Sequence, residues 1–462
     1  MTATNRRAFL HFCLKGGVSL AALTSLQLQA LQGLIHNKNS QKTNTNSSAI
    51  GQQQLDDNKA LVCIFLMGGN DSFNMLLPLA GESLASYQDS KQNLAATNAI
   101  ALSPLTAIND GVGLHPALAP LESLFLQQRL AAVGGVGSLI SPITLAEYQA
   151  KSAAIPKHLF SHNDQQATWM QGREKASLNY GWGARLLELL EQSQSYASNI
   201  SLAGTNLWQT GTQATPFAMS TAGITPIHAY NSTHPDRLAF RAELEKMFAN
   251  ATHPLAMAYS QKLTRAVANT EQLNAALGGA TDFTDQFSDT SLSNKLKAVA
   301  RTLSVQSQFG VKRQLFFVTM GGFDTHDDQN TKHPGLLAEL ANGFSEFDAA
   351  LGQLGMRDSV TTFTMSDFGR TLTSNGDGTD HGWAGNQLVM GGAVKGGEIY
   401  GSLMEQRLGS PFDVGGGRLI PQVSNEQYFA TLARWFGASD SELLDLFPSL
   451  SNFNQHTLEF MV

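Results

Sequence analysis

The sequence predicts an α/β fold, a three-layer sandwich around a mostly parallel central sheet, and three observations carry that expectation. Short, nearly continuous apolar runs at 61–66 (LVCIFL), 314–319 (QLFFVT) and 360–365 (VTTFTM) read as strands covered on both faces. Two of them run into the same pentapeptide, Met-Gly-Gly-x-Asp, at Met67 to Asp71 and at Met320 to Asp324, and the third into Ser366 and Asp367. Between the second and third, Leu336, Leu337, Leu340, Phe344, Phe347 and Leu351 share one helical face within 334–354, as a βαβ crossover requires. In open α/β sheets the functional crevice lies beyond the carboxyl ends of the strands. Three acidic residues at three strand ends are therefore expected to converge there, an arrangement suited to metal ions.

Along the chain, residues 1–35 read as a twin-arginine export signal: Arg6 and Arg7 precede Phe9 and Leu10, and a modestly apolar stretch follows. That stretch is too short and too polar for a transmembrane helix, so the expectation is a periplasmic or otherwise exported protein with no stable membrane span once the signal is removed. Residues 36–59 are polar and nearly free of large apolar groups, a disordered linker. The folded domain is expected over 60–462, with a helical insertion around 180–310. Residues 129–133 add a buried strand closed by Gly134 and Gly135. A helix is expected to start at Ser161, which supplies an N-cap, with Asp164 in its first turn. Helical patterns cover 183–192 and 236–264. Near the C-terminus Ser424 and Gln427 form a capping box, Tyr428, Leu432 and Trp435 a core face, and Gly437 a C-cap.

Composition bounds the function. With 462 residues, 42% hydrophobic and 15% charged, the chain can bury a sizeable core in one large domain carrying insertions. A net charge of −7, with no basic stripe interleaved with aromatics, argues against nucleic acid as a partner. Cys13 lies in the signal and Cys63 in the first strand, which leaves no internal disulfide; stability must come from packing or metal. No dinucleotide fingerprint, haem motif or cysteine cluster supports redox chemistry.

The chemistry-bearing residues cluster at the strand ends. Asp324 and His326 fall on one face of an extended segment and can bind one metal. Asp367 stands at the next strand end, and Asp380 and His381 follow in a Gly-rich loop. Carboxylate oxygen with imidazole nitrogen suits Zn²⁺ or Mn²⁺, and Mg²⁺ or Ca²⁺ where oxygen ligands dominate. Taken alone, Asp71 reads as a tight turn with a capping aspartate; the repetition of its motif points to a ligand. Asp327, Asp328 and Asp380 either orient histidines or are solvated loop charges, and His115 reads as a hydrogen-bonding group in a turn. Ser161 is the candidate nucleophile, at a helix N-terminus where free N–H groups favour an alkoxide, with a plain N-cap as the alternative. Arg370, three residues beyond Asp367, is the candidate grip on a charged ester oxygen, with an exposed loop arginine as the alternative.

These motifs in this order, from Asn70-Asp71 through Ser161-His162, Asp324-Thr325-His326 and Ser366-Asp367 to Arg370 and Asp380-His381-Gly382-Trp383, resemble the domain of unknown function 1501 family of exported bacterial proteins over about residues 55 to 437. That family looks related to the alkaline phosphatase and sulfatase superfamily. The resemblance implies an alkaline-phosphatase-like fold and a metal-dependent hydrolase of phosphate esters, with sulfate esters second, acting on a small-molecule or polymer ester. It implies Asp71, Asp324, His326, Asp367 and His381 as ligands to one or two divalent ions, and Ser161 as nucleophile. Two departures stand out: one residue separates Asp324 from His326 where alkaline phosphatases have three, and Phe368 rather than His follows Asp367. The sulfatase pattern Cys/Ser-x-Pro-x-Arg is absent. The alternative is a non-catalytic metal-binding or scaffold protein of the same fold.

Overall fold

A computed structural model describes residues 57–173, 179–193, 195–224, 230 and 232–462. The expected export signal and almost all of the expected linker lie outside the described residues. The chain divides into two compact units. One comprises, among described residues, 234–265, which hold helix Pro235–Ala249 and the first half of helix Pro254–Leu277. The single helical pattern expected over 236–264 is thus two helices, because Pro254 lacks the N–H that would continue the first. Everything below concerns the other unit, 54–233 with 266–462.

Its central sheet has nine strands: β1 (Lys59–Leu66), β2 (Leu130–Gly137), β3 (Asn199–Ser201), β4 (Phe217–Ala218), β5 (Arg313–Met320), β6 (Val360–Ser366), β7 (Gly385–Met390), β8 (Ile399–Gly401) and β9 (Val423–Ser424). The order is β8-β2-β7-β6-β1-β5-β3-β4, with β9 also on β2, and only β7 runs antiparallel to its neighbours. Helices that position the site are α1 (Gly81–Lys91), α2 (His162–Gln171), α3 (Gln329–Leu354) and α4 (Asn425–Phe436).

Layering follows from the period-2 alternation of β1. Val62, Ile64 and Leu66 pack with Leu337, Leu340, Phe344, Phe347 and Leu351 of α3 on one face of the sheet. Leu61, Cys63 and Phe65 pack with Tyr428, Leu432 and Trp435 of α4 on the other. A strand covered on both sides has no polar face to keep, so it reads as an unbroken apolar run. The expected three-layer α/β sandwich with a mostly parallel sheet is what is found.

Two elements differ from expectation. Helix α3 starts at Gln329 and carries Pro334 inside it, whereas the pattern placed the start at Pro334. A tertiary bond extends it: the backbone N–H of Gln329 donates to the Asp377 carbonyl at 2.9 Å. Residues 379–381, expected in a loop, form a short strand antiparallel to Arg370–Ser374, and this hairpin sets His381 opposite Arg370.

The three acid-bearing loops converge because β6, β1 and β5 are consecutive in the sheet. The two Met-Gly-Gly turns also bond to each other, Met67 N–H to the Met320 carbonyl at 2.8 Å and Phe323 N–H to the Met67 carbonyl at 3.2 Å. Only glycine fits at Gly68: its φ is +113°, and a Cβ there would lie 2.4 Å from the Asp324 nitrogen. That close approach places the Asp324 backbone. Among the described residues, no helix is long and apolar enough to cross a membrane.

Candidate metal centre

Asp324 emerges from the β5 loop with its side chain 45% exposed, and three imidazoles surround it. His326 Nε2 is 3.1 Å and His381 Nε2 3.4 Å from Asp324 Oδ1, and His162 Nε2 is 3.4 Å from Oδ2. Donor atoms of His162, Asp324 and His381 all lie within 4.8 Å of one another. His326 borders that triad, its Nε2 only 2.9 Å from His381 Nε2.

The other ring nitrogen of each histidine fixes its tautomer. His162 Nδ1 is 2.6 Å from the Asp367 carboxylate, His326 Nδ1 is 3.2 Å from the Asp380 carboxylate, and His381 Nδ1 is 2.8 Å from the Phe160 carbonyl. Those partners only accept, so each Nδ1 carries the proton and each neutral ring turns an Nε2 lone pair toward Asp324. Lone pairs of His326 and His381 at 2.9 Å repel unless a cation or proton lies between them. His162 Nε2 is buried without a hydrogen-bond partner, a cost relieved by a ligand. Two imidazole nitrogens and one carboxylate, from His162, His381 and Asp324, with His326 Nε2 beside them, fit a divalent ion such as Zn²⁺ or Mn²⁺.

Electrostatics favour positive charge here. The hydrogen bond to Asp367, with the charges of Asp367 and Asp324, raises the His162 pKa above its ordinary value against partial burial. Burial alone would raise the Asp324 carboxyl; the Arg370 hydrogen bond and charge, helped by His162 and His326, hold it below the usual range. His381 is lowered, first by burial, which keeps its ring neutral and able to ligate.

Of the residues singled out from the sequence, Asp324, His326 and His381 are brought together, and Asp367 and Asp71 take other places. Asp367, fully buried, stands behind His162: one oxygen accepts from Gly68 N–H at 3.3 Å, the other faces His162 Nδ1 and accepts from Gln166 Nε2 at 3.0 Å. It orients the His162 ring. Asp71 is also fully buried, with both oxygens 2.7 Å from Lys91 Nζ and one accepting from Gln329 Nε2 at 2.7 Å. Its carboxylate is already neutralised by a cation of the chain.

Arg370 was expected to grip an ester oxygen, but its side chain is fully buried, with four of its five N–H groups bonded within the protein. Nη1 donates to Asp324 Oδ1 at 2.7 Å and to the Gly68 carbonyl at 3.1 Å, Nε to Thr379 Oγ1 at 3.1 Å, and Nη2 to the Thr379 carbonyl. It holds Asp324 in place. Ser161 occupies the N-cap position of α2, yet its side chain makes no capping bond; its hydroxyl donates to Asp164 Oδ2 at 2.8 Å.

Sequence reasoning missed His162 as a donor, although its position beside Ser161 in the motif was available. It also missed Lys91, which no local signal marks, and Gln329, whose Oε1 accepts from Thr325 Oγ1 at 3.0 Å and Thr379 Oγ1 at 2.7 Å and so links Asp71 to the Arg370 hairpin. If Asp367 acts through His162, Asp367→Asn weakens metal binding about 10- to 100-fold without abolishing it. A competition titration against a chelator checks this; unchanged affinity would mean that His162 is held by packing alone.

Solved structures similar to this chain are distant. Ps i-CgsB in complex with k-i-k-neocarrahexaose matches with 10% identity and a TM-score of 0.38, covering 86% of this chain and 77% of its own. The PsFucS1 sulfatase from Pseudoalteromonas sp. matches with 10% identity and a TM-score of 0.34, over 83% and 68%. The C-terminal periplasmic domain of EcEptC from Escherichia coli, in complex with Zn, matches with 12% identity and a TM-score of 0.32, over 84% and 85%. A search of curated proteins finds no match. The family described as "Protein of unknown function (DUF1501)" matches residues 58–443, and the chain belongs to it.

Proposed function

We propose that this protein is an exported, metal-dependent hydrolase of phosphate esters, with sulfate esters as the second class. The observation that carries the reading is the convergence of three oriented Nε2 lone pairs on the Asp324 carboxylate, one of them on a buried nitrogen with no other partner. A divalent ion bound there supplies Lewis acidity toward an ester oxygen. The chain's own groups do the rest. Asp367, Asp380 and the Phe160 carbonyl keep the protons on the outer ring nitrogens, and Arg370 fixes Asp324. Ser161 would attack the phosphorus as the P–O bond to the leaving alcohol breaks; the Ser161 proton passes to Asp164, already 2.8 Å away, and on to the leaving alkoxide, and water then cleaves the phosphoserine, releasing phosphate and restoring the hydroxyl. Export by the twin-arginine route rests on Arg6, Arg7, Phe9 and Leu10.

The test is elemental analysis of purified protein, followed by assay of the metal-loaded form on phosphomonoester, phosphodiester and sulfate ester panels. Stoichiometric metal with turnover lost in Ser161→Ala supports the proposal. Stoichiometric metal without turnover on any panel leaves the non-catalytic metal-binding scaffold.

A further inference from the structure

Beside the metal centre lies a cleft of about 450 Å³, lined by His326, His381, Asp380, Tyr148, Phe160 and Arg418, among others. Its size falls within the usual range for small-molecule sites, roughly 300 to 1,000 Å³. Its two histidines are metal-centre donors, so whatever fills the cleft touches that centre.

Among the described residues lining it, Arg418 carries the permanent positive charge. Its guanidinium lies over the Phe160 ring, 5.4 Å from the centroid, and is anchored by Nε donating to the His381 carbonyl at 3.0 Å and Nη1 to the Gly415 carbonyl at 3.3 Å. A guanidinium has five N–H groups. Those remaining after these two bonds meet no acceptor among the described residues. Stacking and a backbone anchor fix the fork before any ligand arrives, and a preorganised fork suits the paired oxygens of a tetrahedral anion. Arg370, by contrast, is fully buried and spends four of its five N–H groups on Asp324, Thr379 and the Gly68 carbonyl. Asp380, the carboxylate in the lining, turns Oδ1 to His326 Nδ1 at 3.2 Å and accepts from Asn375 at 3.4 Å. Tyr148, half-buried and packed against Trp383 with centroids 6.0 Å apart, gives the cleft an aromatic wall. Such a wall favours a flat or ring-shaped ligand body.

Building on the hydrolase reading, we propose that the substrate is a ring-bearing monoester of a tetrahedral oxyanion, its anionic oxygens held by Arg418 and its ring laid against Tyr148. Phosphate and sulfate share the required charge and shape, and the experiment separates them.

Calorimetric titration of the metal-loaded protein with phenyl phosphate, phenyl sulfate, ethyl phosphate and inorganic phosphate reads binding without requiring turnover. Phenyl phosphate or phenyl sulfate is expected to bind at least tenfold tighter than ethyl phosphate, and the tighter of the two identifies the anion. Arg418→Met is expected to weaken that binding at least tenfold while metal content and Tm stay at wild-type values. Arg418→Lys recovers only part of it, because a point charge replaces a planar fork. Tyr148→Ala removes the phenyl-over-ethyl preference, and it tests the pocket even if Arg418→Met fails to fold. Equal affinity in Arg418→Met, or no preference for the ring in the wild type, overturns the proposal. Intact Arg418-dependent binding without hydrolysis sinks the hydrolase reading instead and leaves this pocket standing.

Discussion

Asp324→Ala is expected to reduce bound divalent metal from one equivalent per chain to under a tenth, and ester turnover by roughly a thousandfold or more, about 4 kcal/mol of transition-state stabilisation. Asp324 is the only carboxylate among the four donors, and each imidazole Nε2 lies within 3.4 Å of one of its oxygens. Without it the histidines retain their outer-nitrogen partners but have no anion to offset a dication. The thermal stabilisation that saturating metal gives the wild type, about 2.7 kcal/mol at a hundred times Kd, should vanish as well. Asp324→Asn separates charge from shape: it keeps an oxygen for the Arg370 hydrogen bond, 2.7 Å in the wild type, and should lose metal nearly as completely. Elemental analysis after dialysis, paired with melts in the presence and absence of metal, reads both effects. Wild-type metal content in Asp324→Ala would place the ion elsewhere.

Much of the architecture was legible because it is written locally. The runs preceding Met67, Met320 and Ser366 are unbroken where both sheet faces are covered, so β1, β5 and β6 could be read directly, and their adjacency makes their loops neighbours. Asp324 and His326 were legible for the same reason, being two residues apart in one extended segment. What escaped depends on contacts across the fold. The same pentapeptide yields an open carboxylate at Asp324 and a sealed one at Asp71, and the difference is Lys91, at the last residue of a helix 20 positions further on. Nothing in the pentapeptide records that partner. His162 follows Ser161, at the N-cap position, in the sequence, but its ring becomes a candidate donor only because Asp367, at the end of a distant strand, holds its other nitrogen. Arg370 read as a grip on an ester oxygen, with an exposed loop arginine as the alternative, because the short strand Thr379–His381, which pairs with it, is too polar to announce itself.

Lys91→Met is expected to destabilise the fold by about 3 to 5 kcal/mol, as removal of one member of a buried ion pair usually does. Every donor of the ammonium is used: two bonds of 2.7 Å to Asp71 and one of 3.2 Å to the Thr371 carbonyl, with both side chains fully buried. Its removal leaves the Asp71 carboxylate dry, with Gln329 Nε2, at 2.7 Å, as its remaining side-chain hydrogen-bond donor among the described residues. The pH dependence identifies the cause. In the wild type, burial acts to raise the Asp71 carboxyl, but Lys91, His333 and Gln329 outweigh it and hold the group below the usual carboxylate range. A carboxylate depressed on folding contributes stability above the unfolded pKa and loses it as pH falls through the folded one. In Lys91→Met burial prevails and the pKa rises, so the variant should lose stability as pH climbs above about 4, and its deficit should shrink in acid. Lys91→Met with Asp71→Asn replaces the stranded charge by a neutral amide and should recover most of the loss. Urea melts from pH 4 to pH 8 measure all three proteins. A deficit in the single variant below about 1 kcal/mol, or one independent of pH, would mean that water reaches Asp71. The metal content separates this pair from the centre in front of it, because the ammonium neutralises Asp71 without touching the four donors, and Lys91→Met should therefore still bind one equivalent.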